Sequence, residues 1–341
     1  MNLLLFEGGS SIEREVSYKS SKNMKALFEE MGHSVSVIDV QQDGSFLYEG
    51  KEVSIVPNKG FFVDGNKIEA DMALPMIHGH GGEDGSLQGV FEIVNIPYLS
   101  DDVLTSSICM HKATATALFK AYEIEATAGI VLMTNADHDD RNLGAMILSL
   151  MGYDLVLKPE AGGSSIGVMI IKDPTVDKLR EAIKEMRKYD TKAILQPYYK
   201  KAKEIEVGVV YNSENKCYID VGAVQIETNA EFLDYESKYS SKSHILKEDE
   251  IKIKPNILRN IRKTALAAAD AVGVRMYARV DFLVNGKDYY VNEINTIPGM
   301  TETSHFPALV GDRENLKKVF NILINNAIAR NKAENNLLRT L

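Results

Sequence analysis

Residues 279–304 read RVDFLVNGKDYYVNEINTIPGMTETS. An apolar-rich run (Val280, Phe282, Leu283, Val284) meets Asn285-Gly286-Lys287, and a second run (Tyr289, Tyr290, Val291) follows, the pattern of a β-hairpin. Gly286 supplies the positive φ that such a turn needs. Arg279, Asp281, Glu293 and Asn295 interrupt the two runs. A three-residue loop, Asn285–Lys287, sets Val284 opposite Asp288, Asp281 opposite Val291 and Arg279 opposite Glu293. All four polar side chains then share one face of the ribbon. A two-residue loop would turn one strand's set to the other face, so the three-residue register is expected. Two carboxylates and an amide on one face are the hard oxygen donors that Mg²⁺ takes, with phosphate oxygens completing an octahedron. The same pattern also describes an edge hairpin with a solvated polar face.

Composition narrows the class. A chain of 341 residues corresponds to roughly two domains, or three compact subdomains. With 45% hydrophobic and 26% charged residues it can bury a full core. Lys and Arg number 39 against 48 Asp and Glu, a net charge of -9. That balance argues against a general affinity for nucleic acid or an anionic membrane, and leaves phosphate binding to local basic residues. Cys109 and Cys217 are too few for a disulfide framework and fit a reducing compartment. The N-terminus lacks the basic region, apolar core and cleavage site of a signal peptide. No apolar run approaches the ~20 residues that span a bilayer, so a cytoplasmic location is expected.

Residues 2–40 read as a βαβ unit: a strand to Phe6, the turn Gly8-Gly9-Ser10-Ser11, a helix stopped at Gly32, and a strand ending near Val40. The turn is not G-x-G-x-x-G, which speaks against a nucleotide-dependent dehydrogenase. Glu13, opening the helix, could pair with a substrate ammonium or only complement the helix dipole. Residues 41–69 carry turn signals between short strands at the edge of this domain. In Asp71–Gly89, DMALPMIHGHGGEDGSLQG, a buried strand releases a glycine-rich loop, where ligand sites of α/β sheets gather. H-x-H there is a weak metal signal, and His78 near the reacting groups of a substrate is the preferred reading. Lys112 falls in a helix expected over about 105–122, where a lysine is ordinarily a surface charge.

Asp154–Lys172, DLVLKPEAGGSSIGVMIIK, is strand, glycine loop, strand, and so differs from a P-loop. Backbone N–H groups and hydroxyls of Gly163, Ser164 and Ser165 could cradle a triphosphate, with the Lys158 ammonium beside it. A plain hairpin loop is the competing reading. Gln196–Tyr199 follows a short strand as a candidate hinge, Glu204 precedes another strand, and the polar stretch 227–246 is long enough for a lid. A non-catalytic nucleotide-binding module would keep the lysines but lose the metal ligands, and here Asp281, Glu293 and Asn295 are all present.

GGSSIEREVS at Gly8–Ser17, HGHGGEDGSLQG at His78–Gly89, LKPEAGGSSIGV at Leu157–Val168, DYESKY at Asp234–Tyr239, and RVDF with NEINTIPGMT follow one another along nearly the whole chain. Together they resemble the D-alanine–D-alanine ligases of the ATP-grasp superfamily. The resemblance implies a mixed α/β fold of three domains. These are an N-terminal α/β parallel-sheet domain over 1–101, a central ATP-grasp subdomain with the phosphate loop over 102–196, and a C-terminal one with lid and metal site over 197–341. It implies that ATP phosphorylates the carboxylate of one D-alanine, and that the amine of a second then displaces phosphate, for peptidoglycan precursor synthesis. ATP, two Mg²⁺ ions (Mn²⁺ as a substitute), two D-alanine molecules and a homodimer come with it. Ligases making D-alanyl-D-serine or D-alanyl-D-lactate share most of these segments.

Residue by residue, the resemblance gives Lys112 and Lys158 to the phosphates, with Lys238 on the transferred one, and Asp281, Glu293 and Asn295 to the metals. Glu13 would hold the first ammonium, hydrogen-bonded across the site to Ser164 and Tyr239. Arg279 and the Gly299 N–H would stabilise the oxyanion. Ser304 would take the second substrate's carboxylate, with His78 nearby. Glu204 would bind ribose, with Gln196 and Tyr199 around adenine. Tyr239 stands where lactate-using relatives tend to carry His, and a neutral side chain favours an amine nucleophile. The chain departs from the family in three places: Gln196 replaces a Glu, Gly162 stands where Glu is frequent, and Glu302-Thr303 precedes Ser304.

Overall fold

The computed structural model describes residues 1–228 and 243–337. Leu3–Phe6 is an unbroken apolar run and all four side chains are buried. A strand apolar on both faces suits the middle of a parallel sheet. The first elements are β1 (Asn2–Gly8), α1 (Arg14–Glu30), β2 (Ser34–Val40), β3 (Phe46–Tyr48) and β4 (Lys51–Glu52). A small antiparallel sheet of β5 (Ser54–Val56), β6 (Gly60–Val63) and β7 (Asn66–Lys67) precedes β8 (Met72–Pro75) and α2 (Ser86–Val94). The first sheet runs β4-β3-β2-β1-β8, with β1 parallel to both β2 and β8. Leu3 and Leu5 face the α1 side with Met24, Leu27 and Phe28, whereas Leu4 and Phe6 face the α2 side with Leu87 and Phe91. Alternation along one strand thus fills two cores.

Next come α3 (Val103–Met110) and α4 (Lys112–Ala121). The single helix expected over 105–122 is broken at His111, whose φ of -90 and ψ of 94 are extended. Glu160 explains the break: its carboxylate lies 2.5 Å from His111 Nδ1, and its carbonyl accepts from the Lys112 N–H at 3.2 Å. Lys112 therefore begins a helix instead of riding on the flank of one. Both helices pack through Cys109, Ala115 and Phe119 into the core of the C-terminal sheet.

The central sheet, ordered β11-β10-β12-β9, is antiparallel throughout. It comprises β9 (Ile130–Met133), β10 (Leu155–Pro159), β11 (Met169–Ile171) and β12 (Lys192–Pro197), packed against α5 (Asp140–Ser149) and α6 (Val176–Met186). The third large sheet, β15-β14-β13-β16-β17, contains β13 (Lys203–Asn212), β14 (Cys217–Thr228), β15 (Ser243–Leu246), β16 (Tyr277–Asn285) and β17 (Asp288–Asn295). Helix α7 (Pro255–Val272) opens on a proline and ends at Gly273 in the left-handed region, as its sequence requires. A short α8 (His305–Val310) and α9 (Arg313–Asn335) are the last described elements; the ring of Phe320 on α9 packs 5.3 Å from that of Phe28. No helix among the described residues is long and apolar enough to cross a membrane.

The hairpin departs from its expected register in two ways that cancel. Its loop has two residues, since Asn285 pairs with Asp288 and Val284 with Tyr289. That alone would turn β17's polar residues away. A β-bulge at Asn292 then inserts one residue between the Phe282–Val291 and Asp281–Glu293 pairs, which restores the face. Asp281 therefore lies opposite Glu293, and Arg279 opposite Asn295.

Asp101 joins the first sheet's domain to α3 and is buried; its Oδ1 accepts from the N–H groups of Arg275 (2.5 Å) and Met276 (2.9 Å). Burial pushes its pKa from 3.8 up to about 7. A raised carboxyl pKa gives stability that is full below the unfolded value and lost as pH rises through the folded one. Asp101→Asn keeps a carbonyl acceptor without the charge. Between pH 4 and pH 7 the stability difference should therefore move in the variant's favour by a few kcal/mol, on the order of the linkage of so large a shift. Urea unfolding at the two pH values measures it.

Candidate active site

Two cavities meet at the glycine loop between β10 and β11. The larger, about 430 Å³, lies between the central and C-terminal sheets, and the smaller, about 50 Å³, lies between the N-terminal domain and the tail after β17. Gly163 lines both.

Lys112, Lys158, Ser165, Gln196, Tyr199, Glu204, Asp281 and Glu293 all line the larger cavity. Lys112 Nζ donates to the Gly162 carbonyl and sits 3.4 Å from Glu293 Oε2. Lys158 Nζ donates to Asn292 Oδ1 at 3.1 Å, so the bulge that corrects the register also supplies this lysine's partner. Gln196 is buried, and its amide N–H₂ donates to the carbonyl and hydroxyl of Thr127 at 2.8 and 3.0 Å. Those acceptors fix the amide's orientation and leave its oxygen for the cavity. Tyr199 stacks on Tyr290, centroids 5.3 Å apart and planes 15° from parallel.

Glu13, His78, Ser164, Arg279, Asn295, Gly299 and Ser304 line the smaller cavity. The Ser164 hydroxyl donates to the Glu13 carboxylate, joining the glycine loop to the start of α1. Gly79, at φ +71, passes so close that an added Cβ would lie 2.8 Å from Glu13 Oε2 and 2.9 Å from Ser11 Oγ. Gly79→Ala should leave the chain folded, displace Glu13 and raise KM for the first substrate about tenfold, with ~1 kcal/mol of backbone strain. Initial-rate kinetics alongside a melting curve separate the two effects.

His78 lines the cavity but both of its nitrogens are committed. Nδ1 lies 2.9 Å from the Ile297 carbonyl and Nε2 2.9 Å from Ser20 Oγ, which itself accepts from the Met300 N–H at 3.1 Å. Burial holds its pKa below the usual histidine range, and a neutral ring donating through Nδ1 fits these partners. His78 thus anchors the tail that carries Gly299. Glu83 does the same from the neighbouring loop, accepting from the N–H groups of Gly79 (2.7 Å) and Ile297 (3.0 Å). Burial pushes its pKa up to about 8.

The floor between the cavities is a row of carboxylates across three strands. Glu206 on β13 pairs with Asp281 on β16, which pairs with Glu293 on β17. Nitrogen donors stand among them. Arg279 donates to both Asp281 oxygens at 2.8 and 2.7 Å and lies 3.1 Å from Glu206, and His305 Nδ1 lies 2.9 and 2.8 Å from the Glu206 oxygens. Asn295 Nδ2 donates to Asp281 Oδ2 at 3.1 Å. Burial still pushes the Asp281 pKa up to about 6 against the pull of Arg279. A divalent cation would relieve that cost, and two carboxylates with an amide oxygen are the donor types it takes. Among the described residues no group of three or more His, Cys, Asp or Glu could hold a metal ion.

Lys238 and Tyr239 lie outside the described residues. Glu206 and His305 were not singled out from sequence. For Glu206 a signal existed: Glu204-Ile205-Glu206 alternates, so both acids share a face. His305 follows a loop-like tail and begins a six-residue helix too short to give a periodicity.

A family model for the N-terminus of D-ala D-ala ligase matches residues 2–100, and one for the C-terminus matches 118–325. A D-alanine–D-alanine ligase of Trichlorobacter lovleyi is 32% identical over 308 residues, covering 89% of this chain and 86% of that protein. The solved D-alanine-D-alanine ligase of Coxiella burnetii superposes with a TM-score of 0.84 at 25% identity, over 99% of this chain and 98% of that one. The VanG D-Ala:D-Ser ligase of Enterococcus faecalis gives 0.79 at 26%, over 96% and 99%. The chain belongs to the D-alanine–D-alanine ligase family.

Proposed function

We propose that this chain joins two D-alanines in an ATP-dependent reaction, releasing ADP and phosphate, as a cytoplasmic step toward peptidoglycan precursors. What carries the reading is the junction at Gly163. A cavity of nucleotide size, with two lysines and a row of acids, opens there onto a small pocket ending on Arg279, Gly299 and Ser304.

A triphosphate and a carboxylate repel unless cations stand between them. Lys112 and Lys158 would neutralise the phosphates while the N–H groups of Gly163–Ser165 close over them. Asp281, Glu293 and Asn295 would hold two Mg²⁺ ions (or Mn²⁺), whose chemistry is charge neutralisation and orientation of the phosphates. The Gln196 amide oxygen would accept from the adenine amino group as a glutamate would, with Tyr199 beside the base and Glu204 on the ribose.

Glu13, oriented by Ser164, would hold the ammonium of the first D-alanine so that its carboxylate lies toward the phosphate donor. Phosphorylation makes that carboxyl an acyl phosphate. Arg279 and the Gly299 N–H would then stabilise the oxyanion formed when the second amine attacks, and the Ser304 hydroxyl would bind the second carboxylate. Lys238 and Tyr239 keep their proposed roles on the transferred phosphate and with Glu13. The working form would be a homodimer.

Phosphate release with ATP, Mg²⁺ and D-alanine, D-serine or D-lactate tests the reading. D-alanine should be the preferred second substrate, and a clear preference for D-lactate would sink an amine nucleophile.

A further inference from the structure

The small cavity holds two histidines, and their hydrogen bonds separate them. His78 uses both nitrogens on protein partners. His305 uses one: Nδ1 faces both oxygens of Glu206, and Nε2 has no hydrogen-bond partner among the described residues. The ring is more than nine-tenths buried yet lines the cavity, next to Ser304 and Gly299. A carboxylate that holds Nδ1–H leaves Nε2 as the acceptor, which is the arrangement of an oriented general base. The charged and titratable groups sharing this space are Glu206 from β13, Arg279 from β16, Glu13 before α1, and His78 and Glu83 from the loop after β8.

The geometry points to His305 as the base that deprotonates the second amino acid, with Glu206 as its positioning residue. This rests on the ligase reading above. The second substrate arrives as an ammonium and cannot attack until it loses a proton. The Nε2 lone pair takes that proton, and the freed amine lone pair forms the N–C bond to the acyl phosphate carbon. The C–O bond to phosphorus-bound oxygen then breaks, phosphate leaves with that electron pair, and the remaining excess N–H proton leaves with it. Arg279 would link the two halves of the device, since it shares Glu206 with His305 and is the proposed donor to the carbonyl under attack.

His305→Asn is the discriminating variant, because its amide can still donate to Glu206 while the Nε2 acceptor is gone. Two nucleophiles are compared with ATP and D-alanine present: D-alanine itself, and hydroxylamine, which is already unprotonated at neutral pH and captures the acyl phosphate as a hydroxamate. The variant should lose ~10²–10³-fold in dipeptide formation and keep hydroxamate formation within about threefold, a ratio set by the loss of proton abstraction alone. Its dipeptide rate should climb with pH toward the ionisation of the free amine, where the wild type levels off. Equal losses with both nucleophiles would make His305 structural and overturn the proposal, as would undiminished dipeptide synthesis. If the wild type itself forms no D-alanyl hydroxamate, the ligase reading fails and takes this assignment with it.

Discussion

Arg279→Lys is expected to lower ligation by about 10³-fold while leaving the chain folded. Arg279 grips Asp281 with two nitrogens and reaches Glu206 with one of them, in a site from which water is largely excluded. A lysine keeps the charge but cannot span two carboxylates while also presenting a donor to the reacting carbonyl. The loss should fall on kcat, because a donor in the oxyanion role proposed for Arg279 acts where charge develops and not on bound substrate. Arg279→Met should add a stability loss of ~3–5 kcal/mol, since two buried acids would lose their cation. Steady-state kinetics with chemical denaturation distinguishes these outcomes. A lysine variant with kcat near wild type would remove Arg279 from the oxyanion role.

Glu293→Gln should cost on the order of 10²–10³-fold in kcat and raise the Mg²⁺ concentration needed for half-maximal rate. Glu293 sits opposite Asp281 and 3.4 Å from Lys112, between the proposed metal face and the lysine proposed for the phosphates. The amide keeps the shape and one oxygen but not the charge. Measuring rate against Mg²⁺ for both proteins checks this. Equal half-saturation would place the metal elsewhere.

How much of this was written in the sequence depends on the range of each signal. The βαβ start, the strand–loop–strand of residues 154–172 and the α7 boundaries rest on local chemistry, and they are where the residues put them. The common face of Arg279, Asp281, Glu293 and Asn295 was legible, but through a register that the chain does not use. A bulge leaves no mark in a run such as Tyr290-Val291-Asn292-Glu293, because the extra residue is defined only by its partner strand. The break at His111 was hidden for the same reason: Glu160, 49 residues away, holds it. The same holds for the Glu206–His305 pair, 99 residues apart.

One incubation with ATP, Mg²⁺ and D-alanine, followed by mass spectrometry and nucleotide analysis together, tests the ligase chemistry itself. D-alanyl-D-alanine, ADP and phosphate should form in equal amounts, with no product when D-alanine is replaced by L-alanine. ADP and phosphate without dipeptide, or a dipeptide formed only when a different second amino acid is supplied, would contradict it.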